Sequence, residues 1–173
     1  MPRAWRICAA LLAVWWTGCG TDPTISDVTD ELGPEQRGVP QGPTHRPGQP
    51  CVTCHHGSGP GEPELSLAGT IYVDRDRDLP LEGASVRFAD ALGQRRTATT
   101  NCAGNFYIEA DNWRPSFPVW VEVRLGAEAI AMETPIQRDG ACASCHSDPA
   151  GPDSPGHVYL SEEFLDLPAG ECR

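Results

Sequence analysis

Leu67-Ala-Gly-Thr-Ile-Tyr-Val73 is the stretch that decides the fold, and Val119-Trp-Val-Glu-Val-Arg-Leu125 repeats its pattern. In both, apolar or small residues occupy alternate positions, as in a strand with one buried face. Shorter alternations flank Arg87 and Tyr107. The intervening segments contain Pro, Gly, Asp and Asn, which favour tight turns. Residues 65–135 are therefore predicted to form a small antiparallel β-sandwich of six or seven short strands.

Three motifs carry a family resemblance: Leu67–Val73, then Leu81-Glu-Gly-Ala-Ser-Val86, then Thr99-Thr-Asn-Cys-Ala-Gly-Asn-Phe106. They resemble the G-x-V, l-x-G-a-x-V and T-d-x-x-G-x-F patterns of the carboxypeptidase-regulatory-like, transthyretin-like sandwich. The resemblance covers residues 66 to about 134 and implies a transthyretin-like or immunoglobulin-like fold. It implies no activity, because such sandwiches serve as spacers, binding modules and adhesive units.

Charge limits the partners of the chain. Its 173 residues have a formal net charge of −11, and all 13 basic residues are arginine. Nucleic acid is excluded as an expected partner, because phosphate backbones are bound through clustered positive charge. The lack of lysine excludes Schiff-base chemistry and lysine-dependent phosphate loops. The acidity favours docking to proteins with basic surfaces.

The first eighteen residues, MPRAWRICAALLAVWWTG, have the layout of an export leader. Two arginines are followed by an apolar run of about ten residues, too short to span a bilayer. Gly18-Cys19 then resembles a bacterial lipoprotein processing site, where the cysteine is acylated, although Trp16 departs from the aliphatic residue preferred there. We predict a signal peptide over residues 1–18 and lipidation at Cys19. An ordinary secretory leader with an incidental Cys19 is the alternative.

Residues 19–50 are largely polar and rich in Gly and Pro without hydrophobic periodicity, so they are predicted to be a flexible, disordered tether. No later stretch has the eighteen or more apolar residues of a spanning helix. We expect a lipid-anchored protein on the periplasmic side of a bacterial membrane, with the outer membrane favoured, or at the cell surface.

Two C-x-x-C-H motifs are the main chemical signal: Cys51-Val-Thr-Cys54-His55 and Cys142-Ala-Ser-Cys145-His146. Two thiols at this spacing can add to the two vinyl groups of one porphyrin edge, and the histidine that follows can bind the iron as proximal ligand. From the composition, one such motif is expected by chance about 0.01 times in a chain of this length, which makes two a strong signal. We predict two covalently bound haem c groups, in segments 51–64 and 136–173.

Other uses of these cysteines remain open. Paired C-x-x-C motifs can build a tetrahedral zinc site, although zinc gives no reason for a histidine after both pairs. Thioredoxin-like redox activity would place one motif at a strand-to-helix junction of a βαβ unit, which neither motif has. Disulfides within the motifs would close small, strained rings. Haem attachment is favoured over all three.

The remaining residues with ligand chemistry are few. The candidate distal iron ligands are His56, His157 and His45, since imidazoles near haem are common iron ligands. Cys102 and Cys172 are left over as an even pair in an oxidising compartment, and we predict a disulfide between them.

An acidic hairpin loop offers a weaker metal motif. Asp74, Asp76 and Asp78 form D-x-D-x-D, but an EF-hand loop would need Gly and Glu where Leu79 and Ser85 stand. A solvated turn of alternating charge is favoured.

Haem motifs at both ends of a sandwich domain in an exported chain are similar to bacterial multihaem c-type cytochromes. That resemblance implies a dihaem electron carrier, with no substrate reaction and no catalytic residues. Two alternatives are kept. One is a small peroxidase-like haem enzyme with an open iron position. The other is a non-haem binding or structural lipoprotein that uses the sandwich surface.

Overall fold

The computed structural model describes residues 23–34, 37, 39–168, 170 and 172. In this part of the chain, helices α1 (Pro23–Glu31) and α2 (Cys51–Cys54) come first, and a 3-10 turn (Cys142–Ser144) lies late in the chain. The strands are β1 (Leu65–Asp74), β2 (Arg77–Pro80), β3 (Ser85–Ala89), β4 (Arg95–Thr99), β5 (Asn105–Glu109), β6 (Trp120–Leu125), β7 (Glu128–Ala131) and β8 (Val158–Ser161).

Strand β1 is the centre of the first sheet. It pairs antiparallel with β5 through its first half and with β2 near its end, whereas β8 joins it in parallel. Tyr72 pairs with Pro80 of β2 and with Tyr159 of β8, so these two strands lie on opposite edges of β1. One ten-residue strand therefore supports elements from three distant parts of the chain.

The second sheet has the order β4-β3-β6-β7 and is antiparallel throughout. Apolar side chains of both sheets fill the space between them, and the most buried large ones are Phe106, Leu67, Ile71, Leu81, Val73, Val86 and Val119. Alternate residues of β3 are buried, as one buried face requires. The predicted mostly-β architecture, a small sandwich of antiparallel strands, is confirmed.

The expected tether, residues 19–50, carries structure where it is described. It contains α1, and its later part is bonded to the sandwich. Asn101 Nδ2 donates to the Pro43 carbonyl at 2.7 Å, and the Gly48 amide donates to Thr70 Oγ1 at 2.7 Å. Side-chain amides and hydroxyls thus satisfy backbone groups of a segment that has no hydrophobic pattern of its own.

The predicted signal peptide and Cys19 lie outside the described residues. Within the described ones, no helix has the length and apolar character needed to cross a membrane.

The C-terminal tail is held against the first sheet. Cys102 and Cys172 form a disulfide with their Cα atoms 5.1 Å apart, which is the pair that the sequence predicts. The Gly170 amide donates to the Pro80 carbonyl at 3.3 Å. The tail therefore returns to the sandwich although 70 residues separate the two cysteines.

Candidate functional site

The first C-x-x-C-H motif forms the single helical turn α2 beside the start of β1. The His55 amide closes the turn on the Cys51 carbonyl at 3.0 Å, and the Gly61 amide bonds the Cys54 carbonyl at 2.8 Å. The His55 carbonyl then accepts the Leu65 amide at 2.7 Å. These backbone bonds fix the motif to the first residue of the strand.

The second motif lies on the same strand. Ala141 forms a parallel bridge with Ala68, and the Ala68 amide donates to the Gly140 carbonyl at 2.9 Å. Cys142 then packs over Gly69. A Cβ at position 69 would stand 2.8 Å from the Cys142 sulfur, so only glycine lets this thiol approach the strand so closely.

The two motifs are therefore neighbours, although 87 residues separate His55 from Cys142. Their backbone bonds reach β1 at Leu65 and Ala68, about 10 Å apart along a strand. The Cys51 and Cys142 thiols also lie within electrostatic reach of each other. The fold therefore brings both motifs to the first half of β1.

Both motif histidines have the same hydrogen-bonding arrangement. His55 Nδ1 is 2.9 Å from the Pro63 carbonyl, and His146 Nδ1 is 3.1 Å from the Gly156 carbonyl. A carbonyl oxygen only accepts, so Nδ1 donates in each ring and Nε2 is the ring nitrogen left to act as a ligand. Metal-bound histidines use this arrangement, in which a bond to the outer nitrogen fixes the tautomer and the ring orientation.

The first cysteine of each motif is partly buried. Burial raises the pKa of Cys51 to about 11, and burial together with the nearby Cys51, Asp139 and Cys145 raises that of Cys142 to about 12. Reactive redox cysteines have a lowered pKa. As free groups, these two thiols are therefore poorly suited to redox chemistry.

The four motif cysteines carry no disulfide. They also do not converge with a third ligand. Within the described residues, the only group of three His, Cys, Asp or Glu side chains with ligand atoms close enough for one ion contains no cysteine. A shared zinc site for the two motifs thus has no support in the geometry.

A cavity of about 870 Å³ opens beside the second motif. Its walls come from residues 39–49, β1, the second motif and the disulfide-bonded tail, and they include Cys142, His146, Thr70 and Tyr72. Cofactor pockets have volumes of roughly 300–1,000 Å³. The space is therefore large enough for a porphyrin beside the residues that would hold it.

Comparison with known proteins identifies no relative. No protein-family model matches the chain, and no significant match was found among curated proteins or solved structures.

Two of the candidate distal ligands lie near the first motif. The His45 ring stands edge-on to the His55 ring with their centroids 5.9 Å apart. His56 is turned towards Ser58, whose hydroxyl is 3.2 Å from His56 Nδ1. The structure therefore brings both of them to His55, and a distal role for either stays a prediction.

His157 lies at the second motif but is engaged elsewhere. Its Nδ1 is 2.9 Å from Asp148 Oδ2, and its Nε2 is 3.2 Å from the Asp74 carbonyl. Both ring nitrogens have partners outside any iron site in this arrangement. Asp74 is also buried and bound by Arg77, so the acidic hairpin is not the fully solvated turn that its charge pattern indicates.

The raised pKa values of Cys51 and Cys142 predict that the stability of the chain without haem depends on pH. In a chain produced without haem, Cys51 and Cys142 keep their protons in the folded state at a pH where the unfolded chain loses them. We expect the free energy of unfolding to be unaffected below pH 9 and to fall above it, by about 1.4 kcal/mol per pH unit for each thiol. Denaturant unfolding at pH 8 and pH 10 measures this.

The double variant Cys51→Ala with Cys142→Ala should lose this slope, and so should the haem-loaded protein, because thioethers do not titrate. An equal slope in the double variant would contradict the assignment of the effect to these thiols.

Proposed function

We propose that this chain is an exported, lipid-anchored dihaem c-type cytochrome that transfers electrons. Cys51 and Cys54 would hold one haem c, and Cys142 and Cys145 the other. His55 and His146 would bind the two irons. When bound, haem supplies an iron that cycles between the ferric and ferrous states.

The observation that carries the proposal is the shared arrangement of the two motif histidines. In each, Nδ1 donates to a backbone carbonyl and Nε2 is the ring nitrogen left to act as a ligand. A redox or disulfide role for the cysteines gives no reason for two histidines with the same orientation, and a histidine directly after both C-x-x-C pairs favours haem over zinc. Iron ligation by Nε2 does give such a reason.

The donor set fits haem c in two further respects. The partly buried Cys51 and Cys142 would place the porphyrin edges against the sandwich, away from water. The cavity beside Cys142 and His146 offers room for a macrocycle. The chain itself would thus bind and orient each haem and partly shield it from solvent.

The placement of both motifs on β1 supports an electron carrier over an enzyme. The two attachment segments bond to one strand within about 10 Å of each other. Haems held there would be close enough to favour electron exchange between them. The net charge of −11 favours partners with basic docking surfaces. Acylation of Cys19 would hold the protein at the periplasmic face of a membrane.

The direct test is to count haem. We expect the mature chain from a bacterial host with working cytochrome maturation to carry two covalently bound haems, measured as c-type pyridine haemochrome per chain and as intact mass. The same chain from a host without that machinery should carry none. A colourless product from the competent host would overturn the proposal and leave a non-haem lipoprotein as the better hypothesis. A cyanide-induced spectral shift at one haem would favour the haem enzyme.

A further inference from the structure

Three side chains from distant parts of the chain meet beside the second motif. Asp78 belongs to β2, Asp148 follows the second motif, and His157 directly precedes β8. One ligand atom of each lies within 4.8 Å of those of the other two. We propose that these residues, the Asp–His cluster, bind a divalent transition-metal ion of the Zn²⁺ class, separate from either haem.

The histidine ring is held in the orientation that such a site needs. Only 9% of the His157 side chain is exposed. Its Nε2 donates to the Asp74 carbonyl at 3.2 Å, and its ring packs on Tyr72 with the centroids 4.4 Å apart. A proton held on Nε2 by a backbone carbonyl leaves Nδ1 as the ligand atom.

Two carboxylates face that one nitrogen. Asp148 Oδ2 lies 2.9 Å and Asp78 Oδ1 3.4 Å from His157 Nδ1. Only Asp148 lies at an ordinary hydrogen-bond distance from Nδ1, and two carboxylates whose oxygens lie within 4.8 Å of each other repel. The two carboxylates also affect the neighbouring Tyr72. Burial raises the pKa of Tyr72, and the Asp78 and Asp148 charges raise it further. A bound cation would remove the repulsion.

The ligand set selects the class of ion. One imidazole nitrogen with two carboxylate oxygens suits zinc and the neighbouring first-row metals. Three protein ligands with a fourth position open to water is a common zinc arrangement. Calcium takes six to eight oxygen ligands, more than this cluster provides. Asp78 and Asp148 are 80% and 49% exposed, so an ion can enter from solvent.

The ion would tie the second haem segment to the β1–β2 hairpin. Asp148 is two residues beyond His146, and His157 follows Gly156, whose carbonyl accepts the His146 Nδ1 proton. Binding at the cluster therefore fixes both ends of the loop that orients His146. The cluster itself requires no haem.

The competing arrangement is a doubly protonated His157 that donates Nδ1–H to Asp148 and Nε2–H to the Asp74 carbonyl. In that ion pair the proton on Nδ1, and not a metal ion, would neutralise the Asp148 carboxylate. A second competitor is His157 turned towards the haem of the second motif as a distal ligand. Both predict no specific metal binding, so one titration separates them from the proposal.

The experiment is calorimetric titration of the purified, chelator-treated full mature protein with Zn²⁺ near neutral pH. We expect one saturable site per chain. Asp78→Asn should weaken it about tenfold or more, and His157→Gln should weaken it by about a hundredfold. Asp76→Asn is the matched control, because it removes the same charge from an exposed residue of the adjoining β1–β2 turn, outside the cluster, and it should change the affinity less than about twofold.

Asp78 is largely exposed, so Asp78→Asn keeps the test valid if His157→Gln fails to fold. Equal weakening by Asp76→Asn and Asp78→Asn would reduce the binding to general attraction by an acidic surface and overturn the proposal. The absence of a saturable site would also overturn it. A changed haem spectrum in folded His157→Gln would assign that ring to iron instead.

Discussion

Replacing Cys142 and Cys145 by alanine should lower the bound haem from two groups per chain to one. The first motif keeps its own contacts with β1, through the bond from Leu65 to the His55 carbonyl, so it should still be loaded. Intact mass of the purified mature chain should fall by one haem, and the haemochrome absorbance per chain should halve. The reciprocal variant, Cys51→Ala with Cys54→Ala, should give the same loss.

The matched control removes two cysteines that lie outside both motifs. Where it remains folded, Cys102→Ser with Cys172→Ser should retain two haems per chain, because this pair lies outside both motifs. Loss of both haems from a folded single-motif variant would show that the motifs build one joint site, contrary to the assignment of one haem to each.

The same variant, Cys102→Ser with Cys172→Ser, should also have a much lower free energy of unfolding than the native protein. The disulfide closes a loop spanning 70 residues, and opening such a loop should destabilise the fold by about 4 kcal/mol through the gain in unfolded-chain entropy. Denaturant titration should show a lower midpoint and a somewhat steeper slope, because the unfolded chain exposes more surface without the cross-link.

Reduction of the native protein should reproduce that shift, which separates the loss of the bond from the effect of the serine side chains. An unchanged midpoint after reduction would show that the contacts of the tail, such as the bond from Gly170 to the Pro80 carbonyl, hold it in place without the bridge.

The sequence predicts the strands that alternate clearly. Those containing Leu67, Val86, Phe106 and Val123 were expected from their period-two pattern. Strand β4 carries no such signal, because it is a polar edge strand whose side chains are mostly exposed. Strand β8 has one buried apolar residue, Leu160, and its pairing with β1 depends on a long-range return of the chain.

The candidate site, too, has parts that the sequence predicts and parts that it does not. The motif cysteines and histidines are visible in the sequence because the C-x-x-C-H spacing occurs twice. Their hydrogen-bond acceptors, the carbonyls of Pro63 and Gly156, are not visible, because a backbone oxygen has no residue signature. The Asp–His cluster is hidden for another reason: Asp78 and Asp148 are 70 positions apart in the sequence, and only the fold brings them together.

The attachment of both motifs to β1 has a consequence for how this domain can vary. Their spacing is set by two neighbouring backbone bonds and not by the long segment that connects them. The turns at Gly93 and Gly126 belong to the second sheet and point into open space. We expect loops there to tolerate added residues or a reporter tag while the two motifs keep their positions on β1.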